Sequence, residues 1–158
     1  MLIALSGLPG TGKSTIARQL ALELGAVWLR IDTSEQAIRD AGIAPGGVEG
    51  GGYQVGYGIA EDNLRLGRIV IADSVNPWTL TRDAWRDAGA RAGVRVVEVE
   101  LQCSDPAEHR RRVETRAGDV DWGAVVARDY RPWTRDRLVI DTAGQSAAAC
   151  VARVRASL

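Results

Sequence analysis

A glycine-rich stretch near the start of the sequence could bind a phosphate group. Residues 7–15 read Gly-Leu-Pro-Gly-Thr-Gly-Lys-Ser-Thr and match the pattern G-x-x-x-x-G-K-[ST]. Glycines let the backbone turn tightly, so that successive N–H groups face inward as an anion-binding nest. The N-terminus of a following helix would add about half a positive charge. We therefore expect this stretch to hold an anion.

Two side chains of the stretch indicate that the bound anion is a nucleoside triphosphate. Lys13 could reach the β- and γ-phosphates, and the Ser14 hydroxyl could ligate Mg²⁺. The flanks suit the motif, because an apolar strand precedes it and an amphipathic helix follows it. The sequence therefore predicts ATP and Mg²⁺ as cofactors. The residues expected to bind the nucleotide here are Gly7, Gly10, Thr11, Gly12, Lys13, Ser14 and Thr15.

Two aspartates come at the ends of predicted strands, where open α/β sheets place ligand-binding groups. Asp32 could accept the proton of an acceptor hydroxyl or orient that hydroxyl. Alternatively, it could cap a helix that begins near Thr33. Asp73 could hold the Mg²⁺, or it could form a salt bridge at the strand end.

One predicted helix contains four arginines, at positions 110, 111, 112 and 116. Arg112 and Arg116 are one turn apart and share a face, so both can reach one phosphate-rich site. Arginines so placed stabilise the charge that develops on a transferring phosphoryl group. We interpret Arg110 and Arg111 as a solvated face, and His109 as an exposed helix residue.

The elements that must position these residues alternate along the chain. The predicted strands are continuous in Val, Ile and Leu, as strands buried on both faces should be. They are Leu2–Ser6, Val27–Ile31, Ile69–Asp73, Val94–Leu101 and Leu138–Ile140. Helices are predicted from Lys13 to before Gly25, at about Thr33–Ala41, Tyr53–Leu66 and Thr81–Arg91, and after the caps Asp105, Asp121 and Ser146. In the fifth helix, Asp105 and Glu108 are expected to form a capping box.

The order βαβααβαβααβα predicts a three-layer α/β fold with a mainly parallel sheet. No repeat or linker divides residues 1–158, so we expect a single domain. Residues 44–58 hold seven glycines and are predicted to form a flap. A short lid is expected at about residues 112–121.

Composition excludes several partner classes. Twenty basic and twenty acidic residues cancel, so we expect no large nucleic-acid footprint and no attraction to an anionic membrane. No apolar run approaches the twenty residues of a membrane span. The two cysteines form no metal or disulfide pattern, which suits reduced thiols in a cytoplasmic protein. A monomer or weak homodimer is expected.

The class of phosphate chemistry follows from what surrounds the motif. Hydrolytic ATPases usually follow the aspartate of the Mg²⁺-binding strand with a glutamate, whereas Ser74 follows Asp73 here. The N-K-x-D motif that GTPases use to read the base does not occur. What is left is a compact kinase, in which the protein positions groups and neutralises charge.

Several segments resemble the AAA_33-type "predicted kinase" group, which is similar to the kinase domain of phage polynucleotide kinase, chloramphenicol phosphotransferase and zeta toxins. They are the phosphate-binding stretch, Asp32, Asp73–Pro77 followed by Arg82, Arg112–Arg116 and Leu138–Gly144. The resemblance implies a five-stranded sheet of order 2-3-1-4-5 in a P-loop fold. It also implies that Asp32 faces the acceptor, that Arg112 and Arg116 belong to the lid, and that Thr142 lies near the adenine.

Three functions stay open. The first is transfer of the γ-phosphate of ATP to a hydroxyl of a small molecule. The second is a 5′-hydroxyl polynucleotide kinase, against which the neutral charge argues, as does Glu35 at a position where those enzymes carry an arginine. The third is a nucleotide-dependent switch or ATPase without an acceptor. On the acceptor side, further candidate contacts are Asn76 and Arg82, with Tyr53, Tyr57 and Trp78 as aromatic platforms.

Overall fold

A five-stranded parallel sheet forms the centre of the protein. The structure is a computed structural model that describes residues 1–42, 50–116 and 120–158. The strands are β1 (Leu2–Ser6), β2 (Val27–Arg30), β3 (Val70–Asp73), β4 (Val96–Gln102) and β5 (Leu138–Asp141). Their order in the sheet is β2-β3-β1-β4-β5, and each neighbouring pair is parallel. The predicted α/β fold class and strand order are thus confirmed.

Helices connect the strands in the predicted order. In the described part of the chain they are α1 (Lys13–Leu24), α2 (Ile31–Asp40), α3 (Gly51–Arg65), α4 (Thr79–Arg91), α5 (Pro106–Thr115), α6 (Trp122–Val126) and α7 (Ala147–Arg155). The three predicted caps are observed. Asp105, Asp121 and Ser146 each accept a hydrogen bond from an amide in the first turn of their helix. None of the described helices combines the length and apolar character needed to cross a membrane.

The sheet buries both of its faces, which explains its continuous apolar strands. On one face, Ile3 and Leu5 of β1 pack in a cluster with α1 and α7. On the other face, Leu2 and Ala4 pack in a cluster with α3 and α4. Each fully buried Leu or Ile contributes on the order of 2 kcal/mol to folding. The central strand β1 is therefore packed on both faces, and the loop at residues 7–12 follows it.

The junction of β2 and α2 differs from the prediction. The strand ends at Arg30, and α2 begins at Ile31 rather than near Thr33. The side chain of Ile31 is buried against Gly56 and Trp85, where a β-carbon on Gly56 would overlap it. Because this packing turns the chain directly from strand to helix, Asp32 lies inside the first turn of α2. The alternative role of Asp32 as the helix cap is therefore wrong, since Arg30 occupies that position.

The glycine-rich segment at residues 44–58 was predicted to form a flap, and its second half is helical instead. Residues 51–58 of the predicted flap form the first half of α3, and residues 44–49 lie outside the described residues. Gly52 and Gly56 are buried, and a β-carbon on either would overlap a side chain of α2. These two glycines thus allow α2 and α3 to pack closely. The predicted lid includes residues 117–119, which also lie outside the described part of the chain.

Candidate active site

A cleft of about 1360 Å³ lies at the carboxyl ends of β1, β2 and β3. Its lining brings together the predicted side chains from all parts of the sequence. They are Lys13, Ser14, Thr15, Asp32, Asp73, Arg112, Arg116 and Thr142, together with Gly10 and Gly12. Gly7 and Thr11 support the loop from behind: a β-carbon on Gly7 would strike the Leu101 carbonyl oxygen, and the Thr11 hydroxyl donates to the Leu8 carbonyl.

The loop between β1 and α1 has the geometry of an anion-binding turn. Gly10 and Gly12 have φ angles of +85° and +89°, in the left-handed region that L side chains avoid. Gly12 also precedes the first turn of α1, and no side chain caps that turn. The amides at the start of α1 are therefore available to phosphate oxygens.

Lys13 lies inside this loop with its charge only partly compensated. The side chain is buried, and its Nζ donates to the Leu8 carbonyl at 2.8 Å. Burial lowers the pKa of Lys13 to about 8, although Asp73 and Asp32 act in the opposite direction. A bound phosphate would add negative charge beside the amine and favour its protonated form. Lys13 is also the only lysine in the sequence.

Ser14 and Asp73 lie together where Mg²⁺ is expected. Asp73 is 3% exposed, and burial raises its pKa, whereas Lys13 and hydrogen bonds from Ser14 and Trp28 lower it. Trp28 donates from its Nε1 to Asp73 at 3.3 Å. The described residues contain no group of three His, Cys, Asp or Glu side chains that could hold a metal alone. One hydroxyl and one carboxylate nevertheless fit Mg²⁺, which takes its other ligands from water and phosphate.

Asp32 lines the cleft from the first turn of α2, and its carboxylate is exposed to solvent. Its Oδ2 is 3.4 Å from Arg30, and both side chains are partly exposed. Its negative charge raises the pKa of both Lys13 and Asp73. An exposed ion pair of this kind contributes little to stability. Because the Asp32 side chain is 53% exposed, it is accessible to an incoming hydroxyl.

The two predicted lid arginines have different surroundings. Arg112 donates to the Thr142 hydroxyl at 2.8 Å, to the Thr142 carbonyl at 2.9 Å and to Glu108 at 2.6 Å. It therefore joins α5 to the loop after β5. Arg116 is exposed on the cleft, and its charge lowers the pKa of Lys13. The predicted capping box is wrong, because the Glu108 carboxylate accepts from Arg112 and from the Gly144 amide instead.

His109 is not an exposed helix residue, as the sequence had indicated. It is 7% exposed, and its Nε2 donates to the Pro9 carbonyl at 2.8 Å. Its ring packs edge-on against Trp122. With Val113, one turn later, it leaves no room for a β-carbon on Gly10. Spacing could have revealed this, since His109 and Val113 share one buried face of α5.

Replacing His109 should weaken nucleotide binding without changing any group that touches the nucleotide. In His109→Ala, the Pro9 carbonyl loses its donor, so we expect the Kd for ATP to rise about fivefold, or roughly 1 kcal/mol. Calorimetric titration measures this, with Arg110→Ala on the exposed face of α5 as the control. An unchanged Kd in a destabilised His109→Ala protein would show that the contact serves folding alone.

Asn76 is part of the framework rather than an acceptor contact, which corrects the prediction. It is 1% exposed and has a φ of +49°. Its Nδ2 donates to the Leu5 carbonyl at 3.0 Å, and its Oδ1 accepts from Trp85 at 3.0 Å. This side chain thus fastens the segment after β3 to the end of β1.

Arg82 has a similar role, which also differs from the prediction. It is 2% exposed and donates to four backbone carbonyls, those of Asn76, Pro77, Arg131 and Pro132. Its guanidinium lies 4.2 Å from the centre of the Trp133 ring. Arg82 therefore ties the segment before β5 to the start of α4.

Of the three aromatic candidates, only Tyr53 lines the cleft. Tyr57 is buried against Trp85, and its hydroxyl donates to the Thr81 carbonyl. Trp78 donates to Asp129 at 3.1 Å. Five charged residues of the lining were not predicted from the sequence as cleft residues, namely Arg30, Glu35, Arg39, Asp40 and Arg128.

Relatives by sequence include proteins much longer than this chain. Uncharacterized protein Rv2004c of Mycobacterium tuberculosis is 29% identical over 161 residues, which cover 90% of this chain and 32% of that protein. The cytidylate kinase of Shouchella clausii is 32% identical over 116 residues, which cover 73% of this chain and 47% of that protein. The chain thus spans about a third to a half of the length of these relatives.

Solved structures share the fold over nearly the whole chain. A candidate kinase from Chloroflexus aurantiacus has a TM-score of 0.77 and 22% identity, covering 99% of this chain and 94% of that one. The APS kinase CysC of Mycobacterium tuberculosis, solved with AMPPNP and APS, has a TM-score of 0.74 and 20% identity, covering 98% and 95%. A gluconokinase from Sinorhizobium meliloti has a TM-score of 0.66 and 19% identity, covering 98% and 89%. At these identities the likeness shows a common P-loop kinase fold.

The family comparison agrees with the site. The AAA_33 family, described as an AAA domain, matches residues 2–129. That range includes the phosphate-binding loop, Asp32, Asp73 and both arginines of α5, and Thr142 alone among the predicted site residues falls beyond it. The chain therefore belongs to the AAA_33 family.

Proposed function

We propose that this protein is an ATP-dependent phosphotransferase that moves the γ-phosphate to a hydroxyl of a small-molecule acceptor. One observation carries the proposal: Lys13, the Ser14–Asp73 pair and Asp32 line one cleft at the ends of three neighbouring strands. Relatives and structural neighbours named as cytidylate kinase, gluconokinase and APS kinase support the general class.

Each group has a role in the proposed reaction. Lys13 and the amides at the start of α1 bind the phosphates, and Arg116 in the lining of the same cleft adds a further positive charge. Ser14 and Asp73 would hold Mg²⁺, which when bound neutralises charge on the phosphate oxygens. Arg112 and Thr142 would support the nucleotide from α5 and the loop after β5. Most of the catalysis is then positioning and electrostatic stabilisation.

Asp32 acts on the acceptor. Its carboxylate accepts a hydrogen bond from the acceptor hydroxyl and receives the proton as the new O–P bond forms. The bond from the γ-phosphorus to the bridging oxygen breaks, and that oxygen leaves with ADP. The proton passes from Asp32 to solvent, so the products are ADP and a phosphorylated acceptor.

The first test compares wild type with Asp32→Asn on a panel of small hydroxyl compounds. We expect ADP release to be stimulated by a suitable acceptor and phosphate to appear on it. Asp32→Asn should lower kcat about 10²- to 10⁴-fold, as removal of a general base does, without changing the KM for ATP. Asp62→Asn, an exposed aspartate of α3 outside the cleft, is the matched control.

Other outcomes separate the competing functions. ATP hydrolysis that no acceptor stimulates, and that Asp32→Asn leaves intact, would favour a switch or ATPase. Phosphorylation of a 5′-hydroxyl oligonucleotide in preference to small molecules would favour a polynucleotide kinase. The three carboxylates of α2 that line the cleft, Asp32, Glu35 and Asp40, do not suit a polyanionic strand.

A further inference from the structure

The acceptor end of the cleft contains a second carboxylate, Glu35, one helical turn after Asp32. Both side chains line the cleft from α2. They are close enough that Asp32, after burial, contributes to raising the pKa of Glu35. The charge of Asp32 also raises the pKa of Lys13 and that of Asp73. Asp32 thus interacts both with the phosphate-binding groups and with Glu35.

Packing between two helices holds Glu35 in place. A β-carbon on Gly52 of α3 would overlap the Glu35 Cγ and would lie 3.3 Å from the Glu35 amide nitrogen. The aliphatic part of Glu35 is therefore pressed against α3. Within residues 1–42, 50–116 and 120–158, its carboxylate accepts no hydrogen bond. A half-buried carboxylate in this state is stabilised by any ligand that donates to it.

Ser74 is an independent sign of a ligand at the same place. It is 3% exposed and lines the cleft, and its Oγ makes no hydrogen bond of ordinary geometry in the described structure, with the Tyr53 hydroxyl as its neighbouring polar group. It lies beside Tyr53, whose hydroxyl accepts from the Asn76 amide at 3.1 Å. The charges of Glu35 and Asp32 both act on Tyr53. Glu35, Tyr53 and Ser74 thus surround one polar space next to Asp32.

The neighbouring arginines leave this space suited to a neutral or cationic ligand. Arg30 is paired with Asp32, and the positive charge of Arg39, which donates to the neutral Gln36 at 3.2 Å, is accompanied in the same lining by the negative charge of Asp40. The positive charge of Arg128 lowers the pKa of Lys13 as well as that of Glu35, so it also acts at the phosphate-binding end of the cleft. An acidic acceptor group beside Glu35 would meet like charge, which is unfavourable.

We propose that the acceptor carries a second hydrogen-bond donor, a hydroxyl or an ammonium group, next to the hydroxyl that is phosphorylated, and that Glu35 binds this donor. Glu35 is then a specificity residue, with Ser74 and Tyr53 completing the subsite. A small polyol or amino alcohol has this chemistry. The inference deepens the proposed function and rests on it.

The test measures binding and turnover separately. Binding of polyols and amino alcohols to the protein saturated with AMPPNP and Mg²⁺ is followed by calorimetry or ligand-observed NMR. Each compound is paired with its deoxy or deamino analogue. We expect the analogue to bind about 10- to 100-fold more weakly, because a hydrogen bond to a charged group is lost.

Glu35→Gln should remove most of that preference, raising the Kd and KM of the acceptor about 10- to 100-fold and leaving the KM for ATP within about threefold. Glu114→Gln, an exposed carboxylate of α5, is the matched control. Ser74→Ala is a second variant, expected to weaken acceptor binding without changing affinity for AMPPNP. A larger loss for amino alcohols than for polyols in Glu35→Gln would identify the donor as ammonium, and equal losses would identify it as hydroxyl.

Three results would overturn the inference. They are equal binding of donor and analogue, unchanged acceptor affinity in Glu35→Gln, and preference for a monohydric or anionic acceptor. Failure of the proposed function has a different signature, in which polyols bind in a Glu35-dependent way but receive no phosphate. Thermal unfolding of each variant shows whether a loss of binding reflects loss of folding.

Discussion

Lys13→Ala is expected to lower ATP-dependent turnover by at least about 100-fold, the usual effect of removing one charge-stabilising donor from a reacting group. Lys13 is buried within the phosphate-binding loop and lines the cleft. Its ammonium is therefore placed to neutralise the transferring phosphate. Steady-state kinetics and a nucleotide titration measure the change, and Arg18→Ala on the exposed part of α1 is the control.

The same residue offers a test that needs no acceptor. Because Lys13 is the only lysine, an amine-reactive reagent followed by peptide mapping reports on one side chain. With its pKa lowered to about 8, Lys13 is increasingly deprotonated, and so increasingly reactive, as the pH rises through 8. ATP with Mg²⁺ should protect it by occupying the loop. Full turnover by Lys13→Ala, or labelling that ATP does not slow, would refute the proposed nucleotide site.

Arg82→Leu is expected to lower the free energy of unfolding by about 3–5 kcal/mol. Arg82 is buried and donates to four backbone carbonyls. The Pro77 carbonyl would keep the Arg131 amide as a donor, and each of the other three that is left unsatisfied would cost about 1–3 kcal/mol. Its stacking on Trp133 would also be lost. Urea unfolding followed by tryptophan fluorescence measures the change.

Arg86→Leu is the matched control, because Arg86 lies one turn later on the exposed face of α4. It should change stability by no more than about 0.5 kcal/mol. Equal stability of Arg82→Leu and Arg86→Leu would show that the Arg82 network contributes little. A stable Arg82→Leu protein that had lost acceptor phosphorylation would instead restore the role first predicted for Arg82.

Local patterns in the sequence were sufficient for the strands, the helices and the α/β class, whereas the order of the strands in the sheet followed from the family resemblance. Buried parallel strands require continuous apolar runs, and helix ends require caps, so the strands and the caps Asp105, Asp121 and Ser146 could be read from neighbouring residues. The phosphate-binding loop could also be identified from the sequence, because its turn requires the positive φ angles that Gly10 and Gly12 adopt.

Contacts between distant residues determined the rest. His109 donates a hydrogen bond to the carbonyl of Pro9, which is 100 positions away in the sequence, and Arg82 donates to the carbonyl of Pro132, which is 50 positions away. Glu35 becomes a cleft residue because Gly52 of α3 lies against it. Whether a polar side chain faces solvent, a backbone carbonyl or a ligand depends on which element packs beside it. Helical periodicity predicts which residues share a face, but it does not predict which element packs against that face. The proposed acceptor subsite therefore depends on the packing of α2 against α3.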